Sequence, residues 1–216
     1  MSRLKTWWDQ PDQFDWINRF LREQGLLRSA QVTMVIVAAS AAMAPLSVIA
    51  SQRKPTAGAL VVGVVVALFT VGMAVFWLTR WPTRWQSAVA AVGGVLCVPW
   101  WSFAQPTAMS AVLGCSALAV TGGHIAFFHN IKLLLFNIAV AAVMIAVATL
   151  RLARETNVTA AVAAFWLIWF LIASVALGVR GMSLAVGDQT LLAVADLLNS
   201  TSRQPLPFVA PAARSS

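Results

Sequence analysis

The stretch that decides the fold is Ala57–Leu78, which reads AGALVVGVVVALFTVGMAVFWL and contains no ionisable side chain. About 20 apolar residues in a helix cross a hydrocarbon core of ~30 Å. Lipid offers no hydrogen-bond partner to the backbone, so a run of this kind must satisfy its amides internally. The sequence therefore predicts a transmembrane helix here.

Five further charge-free apolar runs are of similar length, and only 10% of all residues are charged. Soluble domains carry about a quarter. The runs are Val32–Ile49, Ser87–Phe103, Ala108–Phe128, Leu133–Leu150 and Ala160–Val179. The predicted fold is all-α, an integral membrane bundle of six transmembrane helices with an N-terminal interfacial helix and a short C-terminal soluble helix. The predicted regions are a cytoplasmic amphipathic segment (1–30), the six-span domain (31–180) and a cytoplasmic tail (181–216).

Basic residues set the predicted orientation, because loops rich in Lys and Arg stay in the cytoplasm. With a cytoplasmic N-terminus, 11 of the 15 basic residues lie inside, and an even number of spans returns the C-terminus to the same side. The inside set is Arg3, Lys5, Arg19, Arg22, Arg28, Arg80, Arg84, Lys132, Arg180, Arg203 and Arg214, and the outside set is Arg53, Lys54, Arg151 and Arg154. The predicted location is the inner or plasma membrane, and the net charge of +8 indicates anionic lipid rather than nucleic acid as the contact.

Tryptophans near the span ends fit this arrangement, because indole rings favour the membrane interface. Trp77, Trp81 and Trp85 surround Arg80 and Arg84 at the proposed inner end. Trp100 and Trp101 lie near the proposed outer end of the third span. All five are interpreted as interface anchors.

The N-terminal segment predicts an amphipathic helix over Asp12–Gln24, closed by Gly25. Phe14, Ile17 and Leu21 recur at helical spacing and form its apolar face. We interpret this helix as lying on the inner leaflet. The alternative is a helix packed on a cytoplasmic partner.

Polar side chains within the spans are few. None of the seven acidic residues falls inside a predicted span, which argues against an ion-coupled pump and against paired-carboxylate catalysis. His124 and His129 would point about 140° apart on one helix, so a metal or haem would need a ligand from another helix. We expect His124 to hydrogen-bond within the bundle and His129 to face the headgroups. His124 and Asn137 are the candidate ligand-facing residues, and Asn137 is alternatively an interhelical contact.

The two cysteines, Cys97 and Cys115, lie in neighbouring spans at similar predicted depth. They are interpreted as small apolar residues, with a redox pair as the alternative. No metal site and no cofactor are predicted. In the tail, apolar residues at 191, 194, 195 and 198 predict one face of a soluble helix that starts near Gly187-Asp188.

Several motifs resemble one family. They are Trp7-Trp8-Asp9-Gln10-Pro11, Trp77-Leu78-Thr79-Arg80-Trp81-Pro82, Thr121-Gly122-Gly123-His124-Ile125 and Phe165-Trp166-Leu167-Ile168-Trp169. Residues 1–183 resemble the membrane half of actinobacterial and mycobacterial diguanylate cyclases, which carry a cytoplasmic GGDEF domain. The tail is similar to one GGDEF helix, and Asp188 matches an aspartate that contacts guanine in that family. The resemblance implies a role in cyclic di-GMP signalling, and a full-length cyclase or a second copy of this chain as the partner.

The chain differs from that family in the region that contains the catalytic residues. The Gly-Gly-Asp/Glu-Glu-Phe signature and the metal-binding carboxylates are missing, and cyclisation of GTP needs Mg²⁺ held by carboxylates. We therefore expect a truncated, non-catalytic relative that acts as a membrane sensor or scaffold. A small-molecule transporter or channel, and a residual component of cyclase signalling, are the alternatives.

Overall fold

The computed structural model describes the backbone of residues 13–51 and 56–202. Side chains are described up to residue 187, except those of residues 44, 48 and 51. Within these ranges the chain forms helices joined by short turns. The helices are α1 (Phe14–Glu23), α2 (Leu27–Ser51), α3 (Ala57–Thr79), α4 (Arg84–Phe103), α5 (Ala108–Cys115), α6 (Ala117–Phe128), α7 (Ile131–Glu155) and α8 (Val158–Ser202).

Within the described ranges, six helices are long and apolar enough to span a membrane, which confirms the predicted architecture. They are Leu27–Ser47, Ala57–Thr79, Arg84–Phe103, Ala108–Phe128, Ile131–Glu155 and Val158–Gly187. All contain or closely match the predicted runs, and most extend a few residues further at their ends. At several of these ends the predicted run stops before a charged residue, whereas the helix continues past it. A charged residue is tolerated there because its long side chain can reach the headgroup region.

Side-chain caps mark where several spans begin. The Thr56, Thr83 and Thr107 hydroxyls and the Asn130 side-chain oxygen accept hydrogen bonds from first-turn amides of α3, α4, α5 and α7. Thr83 forms a full capping box with Gln86. Such caps satisfy backbone donors that the helix itself leaves unpaired. The turns between spans are therefore encoded locally.

The fourth span is broken at Ser116, between α5 and α6. The Ser116 hydroxyl donates to the carbonyl oxygen of Leu113 at 2.6 Å, which competes with the regular helical ladder. The sequence predicted one uninterrupted run at this position. Hydropathy carries no information on this break, since both halves are equally apolar.

The end of the bundle opposite α1 is held by α7. The carboxylate of Glu155 accepts a hydrogen bond from the Ala108 amide at 2.8 Å, so it caps α5 from another helix. Arg151 donates to the carbonyl oxygen of Gln105 at 3.3 Å. These contacts join the loop after α4 to the end of α7. The buried apolar core below them is formed mainly by α4, α5, α6, α7 and α8.

Helix α1 exists where the sequence predicted it, but its apolar face contacts protein. Phe14, Ile17 and Leu21 are buried against Phe128, at most 7% exposed. The helix ends at Gly25 in a Schellman motif, in which Leu26 N–H donates to Leu21 O and Gly25 N–H donates to Arg22 O. Gly25 has a φ of 67°, a conformation that glycine adopts readily. The sequence had predicted that this glycine ends the helix.

The last helix differs from its prediction, because α8 is helical from Val158 to Ser202 without a break near Gly187. The chain divides into two compact units, Met1–Arg180 and Gly181–Ser216. Two predictions fall on side chains outside the described residues. They are the apolar face at 191, 194, 195 and 198 and the candidate nucleotide-binding residue Asp188.

Candidate functional site

A buried polar cluster joins the first turn of α4 to the end of α6. The Ser87 hydroxyl lies 3.3 Å from Nε2 of His124 and 3.0 Å from Nε2 of His129. Ser87 is fully buried and His129 is 1% exposed. The two imidazole rings, with centroids 5.8 Å apart, therefore converge on one hydroxyl group.

The structure corrects the prediction that His129 faces the headgroups. Helix α6 ends at Phe128, and His129 is its C-cap with extended φ of −117° and ψ of 178°. The 140° separation holds only for two residues on one continuous helix. Because His129 lies just beyond the helix, its ring turns back toward Ser87. His124 hydrogen-bonds within the bundle, as predicted.

The hydroxyl of Ser87 limits the roles of the two rings. A serine hydroxyl carries one proton and two acceptor lone pairs, so it can donate to at most one of the two imidazole nitrogens. At least one of the two histidines therefore donates an N–H from Nε2 to Ser87 when both contacts are hydrogen bonds. The cluster links the three side chains in the order His124, Ser87, His129.

Aromatic rings enclose this cluster. Trp77 meets His124 edge-on at 5.8 Å between centroids, and Phe14 of α1 stacks on His129 at 6.1 Å with 13° between planes. Trp77 is 4% exposed, and Trp101 near the other end is 8% exposed. These two tryptophans are packing residues, which corrects the prediction that all five are interface anchors. Trp85 and Trp100 are exposed, and their role as interface anchors stays a prediction.

Arg180 closes the cluster from α8. Its Nη1 donates to the carbonyl oxygens of His129 at 2.8 Å and of Ala126 at 3.4 Å, and the residue is 6% exposed. The carbonyls in the last turn of α6 lack helical partners and carry the negative end of the helix dipole. A guanidinium at this position satisfies both needs. From the sequence, Arg180 was recognised only as one of the basic residues that flank the spans.

Asn137 lies between α6 and α7, away from this cluster, and is fully buried. Its amide donates to the Leu118 carbonyl oxygen at 3.2 Å, and its side-chain oxygen accepts from Thr121 at 3.0 Å. Gly122 provides the space, since a Cβ there would lie 2.7 Å from Asn137 Nδ2. Asn137 was predicted either to face a ligand or to make an interhelical contact, and the structure shows the interhelical contact.

His124 lines a cavity that adjoins a second one. The first, about 400 Å³, lies between α2, α3, α4, α6 and α8, and the second, about 490 Å³, extends it toward α5. The two share wall residues, among them Val37, Phe69, Gly94 and Thr121. We call these two adjoining cavities together the apolar groove. On α2 it runs from Met34 to Pro45, about 17 Å at 1.5 Å per residue.

The two cysteines are in different surroundings. Cys97 and Cys115 are free thiols; Cys97 lines the second cavity and Cys115 is fully buried in the core. Among the side chains that the structure describes, no three His, Cys, Asp or Glu residues come together as a metal-binding group. No family model, curated protein or solved structure matches the chain.

Proposed function

We propose that this chain is a non-catalytic membrane sensor or scaffold protein that binds an elongated apolar molecule in the apolar groove. The observation that carries this proposal is a pair of adjoining cavities of about 400 and 490 Å³ that share wall residues on α2 and α3. Binding sites for small molecules are typically concave and apolar, with a few polar groups that fix orientation. In this groove the polar side chains include those of Ser40, Thr70, Ser116, Thr121 and His124.

The position of His124 supports a sensing role. The imidazole lies on the groove wall and contacts Ser87, which contacts His129. His129 in turn contacts Phe14 of α1 through its ring and Arg180 of α8 through its carbonyl oxygen. A molecule that shifts His124 would therefore shift the polar cluster that holds the end of the bundle.

A transporter or channel is the second candidate class, and charge placement favours the sensor. Asp15 and Glu23 lie on α1, and Glu155 is the last residue of α7. Ion-coupled transporters generally place carboxylates within the membrane, where their high cost is repaid by function. The acidic side chains described in this chain instead lie at helix ends.

We infer the orientation and the partners from the sequence. We place both termini in the cytoplasm and the protein in the cell membrane, because 11 of 15 basic residues then lie inside. The resemblance to diguanylate cyclases favours a second copy of this chain, or a full-length cyclase, as the partner. A residual role in cyclic di-GMP signalling would then operate through that partner.

Photo-crosslinking in nanodiscs tests the groove. A palmitate carrying a diazirine is expected to label peptides of α2 and α3 that line the groove, and excess unlabelled palmitate should suppress this labelling. Ala41 lines both cavities, so Ala41→Trp should abolish the suppressible labelling by filling the space. Leu68→Trp, at a position 68% exposed and outside both cavity walls, is the matched control. Labelling that is not suppressed, or that Ala41→Trp leaves unchanged, would refute the proposal.

A further inference from the structure

A third cleft, of about 750 Å³, lies where α1 turns into α2, beside the end of α3, and shares only Ile36 with the walls of the apolar groove. Arg22 from the last turn of α1 and Arg28 from the first turn of α2 both line it. The Schellman motif at Gly25 lies between them, so the end of α1 and the start of α2 line the same cleft. Arg22 Nε also donates to Asn18 Oδ1 at 3.1 Å, which directs its side chain.

The mouth of the cleft is positively charged. Besides the two guanidinium groups, the N-terminal end of α2 lies here, because Leu27 and Arg28 are among the lining residues. First-turn amides and the helix dipole favour an anion at such an end. None of the described residues that line the cleft is acidic.

The inner wall of the same cleft is apolar. Val32, Val35 and Ile36 follow Arg28 at spacings of four, seven and eight residues, so they share one face of α2. This wall extends from Arg28 about 12 Å along the span, at 1.5 Å per residue. Leu78 completes it from α3, and Gln31 holds the two helices together by donating to the Trp77 and Leu78 carbonyl oxygens.

We propose that this cleft binds an anionic phospholipid of the leaflet at this end of the bundle. Its phosphate contacts Arg22 and Arg28, and one acyl chain lies along the Val32–Ile36 wall. The planar guanidinium suits phosphate oxygens, which it can bind through two parallel N–H groups. A cationic mouth joined to an apolar wall matches a lipid better than a soluble anion, which has no group to cover the wall. The proposal does not depend on any occupant of the apolar groove.

Native mass spectrometry of the purified full chain tests this. The protein receives phosphatidylglycerol or phosphatidylcholine with identical acyl chains, and the retained lipid is counted. We expect preferential retention of phosphatidylglycerol. The variant Arg22→Gln/Arg28→Gln should lose about fivefold in that preference per arginine, about 25-fold in all. Arg22→Lys/Arg28→Lys should retain part of it.

Arg19→Gln/Arg80→Gln is the matched control, because it removes two charges at the same end and neither residue lines the cleft. It should keep the preference, and all variants should match the parent in elution volume and helical circular dichroism. Three outcomes would overturn the proposal. They are equal retention of both lipids by the parent protein, an equal loss in the control, and displacement of the lipid by soluble glycerophosphoglycerol, which would indicate a phosphate site alone.

Discussion

Arg180 of α8 donates from Nη1 to the backbone carbonyl oxygen of His129 at 2.8 Å, and through this contact the last span holds the end of α6. The same nitrogen reaches Ala126 O at 3.4 Å, so one guanidinium group serves two carbonyls of the terminal turn. A charged side chain that is 6% exposed is stable here because it meets the negative end of a helix dipole.

Replacing Arg180 tests this contact. Arg180→Gln should lower the free energy of unfolding by about 2–3 kcal/mol, because hydrogen bonds of a charged donor to buried carbonyls are lost. Unfolding in mixed micelles, followed by circular dichroism, measures the effect. Arg154→Gln, at an exposed position on α7, should change stability by less than about 0.5 kcal/mol. Equal stability of the two variants would contradict the assigned role of Arg180.

Gly122 tests the packing of Asn137. A Cβ at Gly122 would lie 2.7 Å from the Asn137 amide nitrogen, so Gly122→Ala should displace that amide from Leu118 O. We expect a loss of about 1–3 kcal/mol in the free energy of unfolding. Gly72→Ala is the matched control, since its Cβ would meet nothing within 4 Å, and it should be neutral or stabilising. If the Gly122→Ala and Gly72→Ala variants were equally stable, the close contact between Gly122 and the Asn137 amide would be ruled out.

Gly25 tests the turn between α1 and α2. Its φ of 67° is strained for any residue with a Cβ, so Gly25→Ala should cost about 1 kcal/mol and loosen α1. Hydrogen exchange of the peptide covering residues 14–26 should speed up, and Gly178→Ala, with open space and no positive φ, should leave it unchanged. Unaltered exchange in Gly25→Ala would show that the turn does not hold α1 in place.

Reporter fusions test the proposed topology. Fusions to both termini should be active only with a cytoplasmic reporter, because six spans return the chain to its starting side. A fusion after Lys54, between the first two spans, should be active only with a periplasmic reporter. A C-terminal fusion with periplasmic activity would contradict the even number of crossings.

A nucleotide assay tests the proposed lack of catalysis. Purified protein incubated with GTP and Mg²⁺ should produce no cyclic dinucleotide, since the GGDEF signature is missing from the sequence. A full-length cyclase in the same detergent is the positive control. Any product above a heat-inactivated sample would show that the chain is an enzyme.

Hydropathy predicted the spans because burial in lipid imposes one requirement on every residue of a run, the absence of charge. The polar cluster could not be predicted in this way, since Ser87 is an ordinary serine at the edge of an apolar run. His129 was misplaced because its position depends on where α6 ends, and no strong stop signal such as proline follows Phe128 directly. The spacing of Phe14, Ile17 and Leu21 predicted α1 correctly. It could not tell lipid from protein as the surface that this face contacts, because both are apolar.

The pairing of α2 with α3 has a mechanical consequence. Gln31 directs its described hydrogen bonds to carbonyls of α3, whereas Glu155, Asn137 and Arg180 join helices on the far side of the apolar groove. Separating two apolar helix faces in a membrane involves little loss of hydrophobic free energy, because acyl chains can cover both faces. Among the described contacts, packing such as that of Trp77 against His124 therefore joins this pair to the other helices, and any separation of the pair would first break that packing.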